Sequence, residues 1–290
     1  MQNILRCKDT SFFFNSKETA HKKRLMTTTN KNTTPPLVIR AGAGTLSFLV
    51  PEEDGTQTYH PYAVKSGMSL SANLREAFRE QPFLRRRYDS ATLLVASPVV
   101  LMPKEDYVDT ENLNPDTMYG NVITGHKGEE KIVEEMPELE CVAVFPVNRD
   151  LQMVVSDNTG SVSVRNVMIP VWKHLYNRYY QAGQHRKMFA VFHDKCMDIC
   201  CFEQRRLHFA NVFDATHAHD ALYFLLYVWK QRGMSQEEDA LYIIGKLPHE
   251  EWLLSRLNSY LKNIHFVNPQ ADLNRSALSM IEDMPFDMML

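Results

Sequence analysis

Apolar and polar positions alternate with a period of two over several short runs, then shift to a helical period, and the same succession occurs twice along the chain. Residues 37–41 and 45–50 are β-rich and flank Gly42-Ala43-Gly44, a tight-turn signal. In the second run Leu46, Phe48 and Val50 alternate with Thr45, Ser47 and Leu49, which predicts a strand covered mainly on one face. A polar turn, Glu52-Glu53-Asp54-Gly55, leads to a third strand over 56–64. Ser69 or Ser71 caps a helix reaching Arg79, with Leu70, Leu74, Ala77 and Phe78 on one stripe. Residues 91–96 are almost entirely apolar, as in a strand covered on both faces.

A short helix starts at Pro103, and a polar, glycine-containing insertion runs to about Pro137. A strand is then predicted over 141–147, a helix over 149–156, a strand over 161–165 and a helix over 167–181. After Gly183 the order begins again, with strands over 188–193, 197–203 and 206–213. A strongly apolar helix over 217–232 stops at Gly233, and a strand over 241–244 closes at Gly245. Pro248 suits the first turn of a helix buried through Trp252, Leu253, Leu257, Tyr260 and Leu261, and 264–267 form a last strand.

The common unit is β-β-β-α-β-α. Antiparallel strands extended by parallel ones through right-handed crossovers make a mixed sheet with helices on both sides. Two such α/β halves, over 37–183 and over 184–290 with a Met-rich tail, leave a cleft between them. Residues 1–36 carry scattered Lys and Arg and a Thr/Asn-rich run ending in Pro35-Pro36, so little apolar surface is available and disorder is expected. Met26 offers an alternative start; Asp9 and Glu18 argue against a targeting presequence.

Composition narrows the function classes. The 290 residues include 44% hydrophobic and 23% charged positions with a net charge of −3, which suits a folded protein and disfavours a nucleic-acid groove. No apolar run approaches a membrane span. The odd count of five cysteines without a secretory context predicts reduced thiols and a cytoplasmic location. Cys196 and Cys200 share a strand face about 13 Å apart, too far for a disulfide.

Four segments carry a resemblance: Leu37-Val38-Ile39-Arg40 with Leu46-Ser47-Phe48; Ala91-Thr92-Leu93-Leu94-Val95 with Val100-Leu101-Met102-Pro103; Asn211-Val212-Phe213 with Asp220-Ala221-Leu222-Tyr223; and Leu241-Tyr242-Ile243-Ile244-Gly245. Through them the chain, from Leu37 to Val267, resembles the bacterial family called domain of unknown function 3822. That family is similar in fold to the actin-like ATPases (a duplicated ribonuclease H-like fold), a group that includes sugar kinases, chaperones and pilus-assembly homologues. The resemblance implies the fold and brings no biochemical activity with it.

An actin-like ATPase would hold ATP and Mg²⁺ with an Asp-x-Gly-Ser/Thr turn, a matching acidic turn in the second half, and a Gly-Gly turn against the adenosine. The corresponding residues are Gly42, Gly44 and Thr45, then Asp194, then Gly245 and Lys246. Ala41 stands where the first carboxylate is expected, the Asp194 turn has no glycine, and only one glycine remains in the third. Ordinary hairpin turns explain the first two and the end of a strand explains the third.

Asp214, His217 and His219 form the densest set of potential metal ligands, with Asp220 adjacent and His208 or His193 as further donors. The two histidines lie two apart at a helix start and diverge, so helix capping by Asp214 or Thr216 is the better reading. The Met-rich tail after Met280 can dock on its own chain or on a partner. A nucleic-acid-associated protein is a further alternative that needs a clustered basic face such as Arg85-Arg86-Arg87 with Arg40; a solvated charge run at a helix end is the plainer reading, and nucleic acid is not the expected partner. The expectation is a catalytically silent actin-like adaptor or assembly protein with a protein partner. A divergent ATPase or kinase is the rival; it requires carboxylates to converge near Gly42 and Asp194.

Overall fold

A computed structural model describes residues 35–108, 114–180, 185–203 and 206–290. The predicted boundary at 183/184 falls within a segment outside this description, as do residues 1–34 of the N-terminal extension with Met26 and Cys7.

The first half opens with β1 (Leu37–Ala41), β2 (Leu46–Pro51) and β3 (Gln57–Tyr62), followed by α1 (Leu70–Glu80) and β4 (Tyr88–Val95). Ser69 caps α1, its side chain accepting from the Ala72 N–H at 3.1 Å. An excursion follows: β5 (Val100–Pro103), α2 (Lys104–Val108), α3 (Pro115–Val122), β6 (Glu130–Met136) and β7 (Cys141–Val147). The half finishes with α4 (Arg149–Asn158), β8 (Thr159–Asn166) and α5 (Met168–Leu175), which runs on as a π-turn over Tyr176–Tyr180.

The second half repeats the plan without the excursion. It holds β9 (Lys187–His193), β10 (Cys196–Glu203), β11 (Arg206–Asp214), α6 (Ala218–Gln231), β12 (Ala240–Ile244), α7 (Glu250–Asn258) and β13 (Asn263–Phe266), then a tail containing α8 (Pro269–Asp272).

The two main sheets have the same order, β3-β2-β1-β4-β8 and β11-β10-β9-β12-β13. In each, the first three strands are antiparallel and the last two join in parallel. The duplication expected from element order is therefore a duplication of topology, with a fifth strand completing each sheet.

Three local expectations are corrected. The insertion supplies a strand, β6, that joins β7 and β5 in a three-stranded antiparallel sheet, β5-β7-β6. Its edge strand reads Glu130-Lys131-Ile132-Val133-Glu134-Glu135-Met136, half-covered and acidic, so its weak apolar signal does not announce a strand. Strand β2 is buried at all six positions rather than on one face, because the C-terminal tail covers its second side. Pro248 precedes the helix rather than opening it: α7 begins at Glu250, after His249 in a left-handed conformation.

Period-two burial explains how the halves join. On β9, Met188, Ala190 and Phe192 turn outward to Leu225, Val228 and Trp229 of α6 and to Leu253 and Leu257 of α7. Phe189 and Val191 turn the other way, into a core shared with β1, β2, α5 and the tail residues Met284, Phe286 and Met288. Residues 35–290 accordingly form one compact unit.

Truncation of Phe189, fully buried in that shared core, is expected to cost about 3–5 kcal/mol. In urea, Phe189→Ala should shift the unfolding of the first half and of the second together; separate transitions would show that the core does not couple them.

Candidate functional site

Strand β1 is apolar apart from Arg40, whose side chain is only 2% exposed. Arg40 pairs in register with Ser47 of β2, so both side chains leave the same face of the sheet. The tail lies on that face. The Arg40 guanidinium grips Asp287 side-on, with Nε to Oδ1 at 2.7 Å and Nη2 to Oδ2 at 2.8 Å. The neighbouring Ser47 hydroxyl donates to the Met288 sulfur at 3.3 Å.

Arg40 also reaches the second half, where Nη2 lies 2.8 Å from Asp194 Oδ2. Asp194 sits in the β9–β10 turn. It and Lys195 both have positive φ, 47° and 63°, the requirement of a type I′ hairpin usually met by Asn-Gly. This turn aims the Asp194 carboxylate across at the β1–β2 turn, where Oδ1 accepts from the Thr45 hydroxyl at 2.6 Å. His193 completes the group, with Nδ1 3.2 Å from Asp194 and Nε2 2.6 Å from Asp198.

Two of the three predicted nucleotide elements, Gly42 with Thr45 and Asp194, thus face each other. A Cβ on Gly42 would lie 2.5 Å from the Asp194 carboxylate and 2.1 Å from Thr45 Oγ1, so the space above this glycine holds a carboxylate. Two of the turn's amides are engaged as well: the Gly42 N–H donates to the Thr45 carbonyl and the Gly44 N–H to the Gly42 carbonyl, both at 2.9 Å.

The third element, Gly245 with Lys246, follows β12. Gly245 has φ +91°, and a Cβ there would sit 2.2 Å from the Phe192 carbonyl oxygen, so close backbone packing explains the glycine. Lys246 extends to Asp283 of the tail at 2.6 Å. Between Asp283 and Asp287 the tail therefore passes from the third element to the first two. A separate anchor holds its start: Asp272 accepts from the Tyr179 hydroxyl at 2.6 Å and from Arg178 at 3.2 Å, with His174 beside it.

One carboxylate, Asp194, lies at the Gly42 turn; Asp287 and Asp198 join the same ionic group one step further out, through Arg40 and His193. Burial pushes the Asp194 carboxyl up, but hydrogen bonds from His193 and Arg40 and the charge of Arg40 outweigh it and hold the group well below the usual carboxylate range. For His193, burial favours the neutral ring, yet its bonds to Asp194 and Asp198 prevail and raise its pKa to about 9. Arg40, lowered by burial and raised more strongly by Asp287 and Asp194, stays charged.

Sequence reasoning did not assemble Arg40, His193, Asp198 and Asp287 into this group. The signals were a cation inside an apolar strand and one acid within the apolar stretch 284–290. Arg40 is buried, so it contributes to no basic face with Arg85-Arg86-Arg87; Arg86 is 3.0 Å from Glu52. At the other candidate cluster the expected cap is corrected: Asp214 accepts the Thr216 N–H at 2.8 Å ahead of the helix, His217 takes the N-cap position of α6 without a side-chain cap bond, and His219 packs at a tilt against Trp252 with ring centres 4.2 Å apart. Among the described residues no three His, Cys, Asp or Glu side chains converge as metal ligands. No described helix is long and apolar enough to cross a membrane.

The family model described as "Protein of unknown function (DUF3822)" matches residues 23–264. No curated protein matches the chain. Among solved structures, a Bacteroides thetaiotaomicron VPI-5482 protein of actin-like ATPase fold and unknown function is similar at a TM-score of 0.74 with 24% identity, over 87% of this chain and 98% of that one. A chain of the PilM-PilN type IV pilus biogenesis complex is similar at 0.50 with 13% identity, over 88% and 95%. At these identities the likeness is one of fold.

Removing one member of the buried ionic group strands its partner. Asp287→Ala should lower stability by about 3 kcal/mol, and Arg40→Met by more because it abandons both Asp194 and Asp287; urea unfolding of the two variants checks the order. His193 has a folded pKa above its unfolded value, so its contribution is complete below about pH 6.5 and fades as pH rises through about 9. Melting temperatures of the wild type should fall across that window more than those of His193→Gln; parallel curves would contradict the assignment.

Proposed function

The chain belongs to the DUF3822 family and carries the actin-like ATPase fold, and from that premise we propose that it is a catalytically silent member of the fold. In this reading residues 37–183 and 184–290 are its two subdomains, and it works in the cytoplasm as an adaptor or assembly protein with a protein partner. The observation that carries the reading is the state of the phosphate turn. A phosphate cradle needs free backbone N–H groups and room for an anion. Here the Gly42 and Gly44 amides are spent within the turn, and the Asp194 carboxylate occupies the approach to Gly42. A second anion would meet that carboxylate at close range. The role of partner-binding scaffold draws support from the PilM-PilN complex, in which a chain of similar fold is associated with another protein.

One observation favours the rival reading of a divergent nucleotide-binding protein: the Asp194 carboxylate and the Thr45 hydroxyl meet at the Gly42 turn. Metal-dependent phosphate chemistry uses such oxygens. The carboxylate's lone pairs are already directed at Arg40, His193 and Thr45, which argues against a vacant metal position.

Calorimetric titration of the full chain with ATP and Mg²⁺ should give no saturable heat, and phosphate release should stay at the buffer rate. A variant ending at Met284 removes Asp287 from Arg40 and should remain unable to bind ATP, because the Gly42 turn and Asp194 are unchanged. Turnover by the wild type that Asp194→Ala abolishes would replace the silent reading with the enzymatic one, and ATP binding gained on truncation would make the tail its cover.

A further inference from the structure

The two main sheets end in four edge strands, β3, β8, β11 and β13. An edge offers a row of backbone donors and acceptors to any extended chain, and proteins usually blunt it by shortness, proline, charge or a lack of apolar neighbours. Strand β13 has four residues and β3 contains Pro61. The exposed positions of β8 are Gly160, Ser161, Ser163 and Arg165. Strand β11 is different: nine residues long, it carries Arg206 and Asp214 at its ends and no proline, lysine or acid between them.

The backbone of β11 can be oriented. The Ala215 N–H donates back to the Lys195 carbonyl at 2.8 Å, and the register runs Met197 to Phe213, Ile199 to Asn211 and Cys201 to Phe209. Odd-numbered residues from 209 to 215 therefore face β10, and Ala210, Val212 and Asp214 turn their backbone groups off the sheet. The Val212 N–H is met there by the side-chain oxygen of Asn211 at 3.0 Å. Among the described residues no strand pairs with this outer side.

An aromatic surface borders the same edge. Phe213 of β11 stacks on Phe224 of α6, with ring centres 4.7 Å apart. Tyr223 packs on Phe224 and on Tyr227 and is itself 61% exposed. An exposed tyrosine cluster beside an open edge is the composition of an interface rather than of a solvated helix face.

We propose that β11 pairs antiparallel with β11 of a second copy of this chain, giving a two-fold dimer with one continuous ten-stranded sheet. The pattern is self-complementary. Pairing symmetric about Asn211 places Ala210 opposite Val212, both with outward backbone groups, and sets Phe209 of each copy opposite Phe213 of the other. The ends also match, since Asp214 then faces His208. A two-fold axis normal to the sheet puts both α6 helices on the same side, so the two Tyr223–Phe224–Tyr227 clusters meet across it. A strand from an unrelated protein would satisfy the backbone but would leave the second aromatic cluster without a counterpart.

Sedimentation of the full chain over a range of concentrations tests this. The wild type should show a reversible monomer–dimer equilibrium. Val212→Pro removes an outward N–H without touching the β10 ladder, and Tyr223→Lys places charge at the centre of the aromatic contact. Each should weaken dimerisation at least tenfold, about 1.4 kcal/mol. Tyr223 is exposed, so its variant retains the fold and keeps the test valid if the proline variant does not. A wild type that stays monomeric throughout the micromolar range, or a dimer that Tyr223→Lys leaves at full strength, would overturn the proposal.

Discussion

Arg40 is the charge on which the arrangement of this protein turns. It is buried in a strand otherwise made of Leu37, Val38, Ile39 and Ala41, where an unpaired guanidinium would be costly. Its partners come from far away in the chain, Asp287 from the tail and Asp194 from the second half. Meeting the needs of one side chain therefore fixes three pieces together: the first sheet, the β9–β10 turn and the C-terminal segment. A hydrophobic contact would tolerate slippage of the tail along the cleft. The two-point grip of the guanidinium on Asp287 does not, because each oxygen has its own donor.

The same ionic group has consequences for chemistry. In an actin-like fold the place where the two hairpin turns meet is where one would look for bound phosphate. Here that place is built from the chain's own acids and bases. Asp194 answers Arg40, His193 and Thr45 at once, which leaves its oxygens little capacity for a metal or a water. The left-handed conformations at Asp194 and Lys195 carry a backbone cost of roughly 1–2 kcal/mol each, offset by the contacts the turn makes. Such a network favours a rigid junction over a site that opens and closes around a ligand.

Much of the fold was legible because it depends on local periodicity. Alternating residues in β2, the continuous apolar run of β9, the Leu70–Leu74–Phe78 stripe of α1 and the stops at Gly233 and Gly245 all act over a few positions, so they leave a direct trace. The three-stranded sheet β5-β7-β6 was not legible, since β6 is acidic and half-covered and owes its pairing to β7. The candidate turns were found by position, but their contents were not. Nothing near Gly42 indicates that a carboxylate 152 residues later would fill its open side. Nothing in Pro285-Phe286-Asp287-Met288 names Arg40 as the partner.

By itself, then, the amino-acid sequence determined most of the elements, their repeated order and which residues stand at the three candidate turns, because those properties reside in short stretches of chain. Tertiary structure decided what surrounds those turns. Burial of both faces of β2, the occupation of the Gly42 turn by Asp194 and the anchoring of the tail on Arg40 are long-range pairings of charge and shape. Their physical basis is the cost of leaving a buried charge unanswered, and that cost has no meaning until folding has removed the water around it.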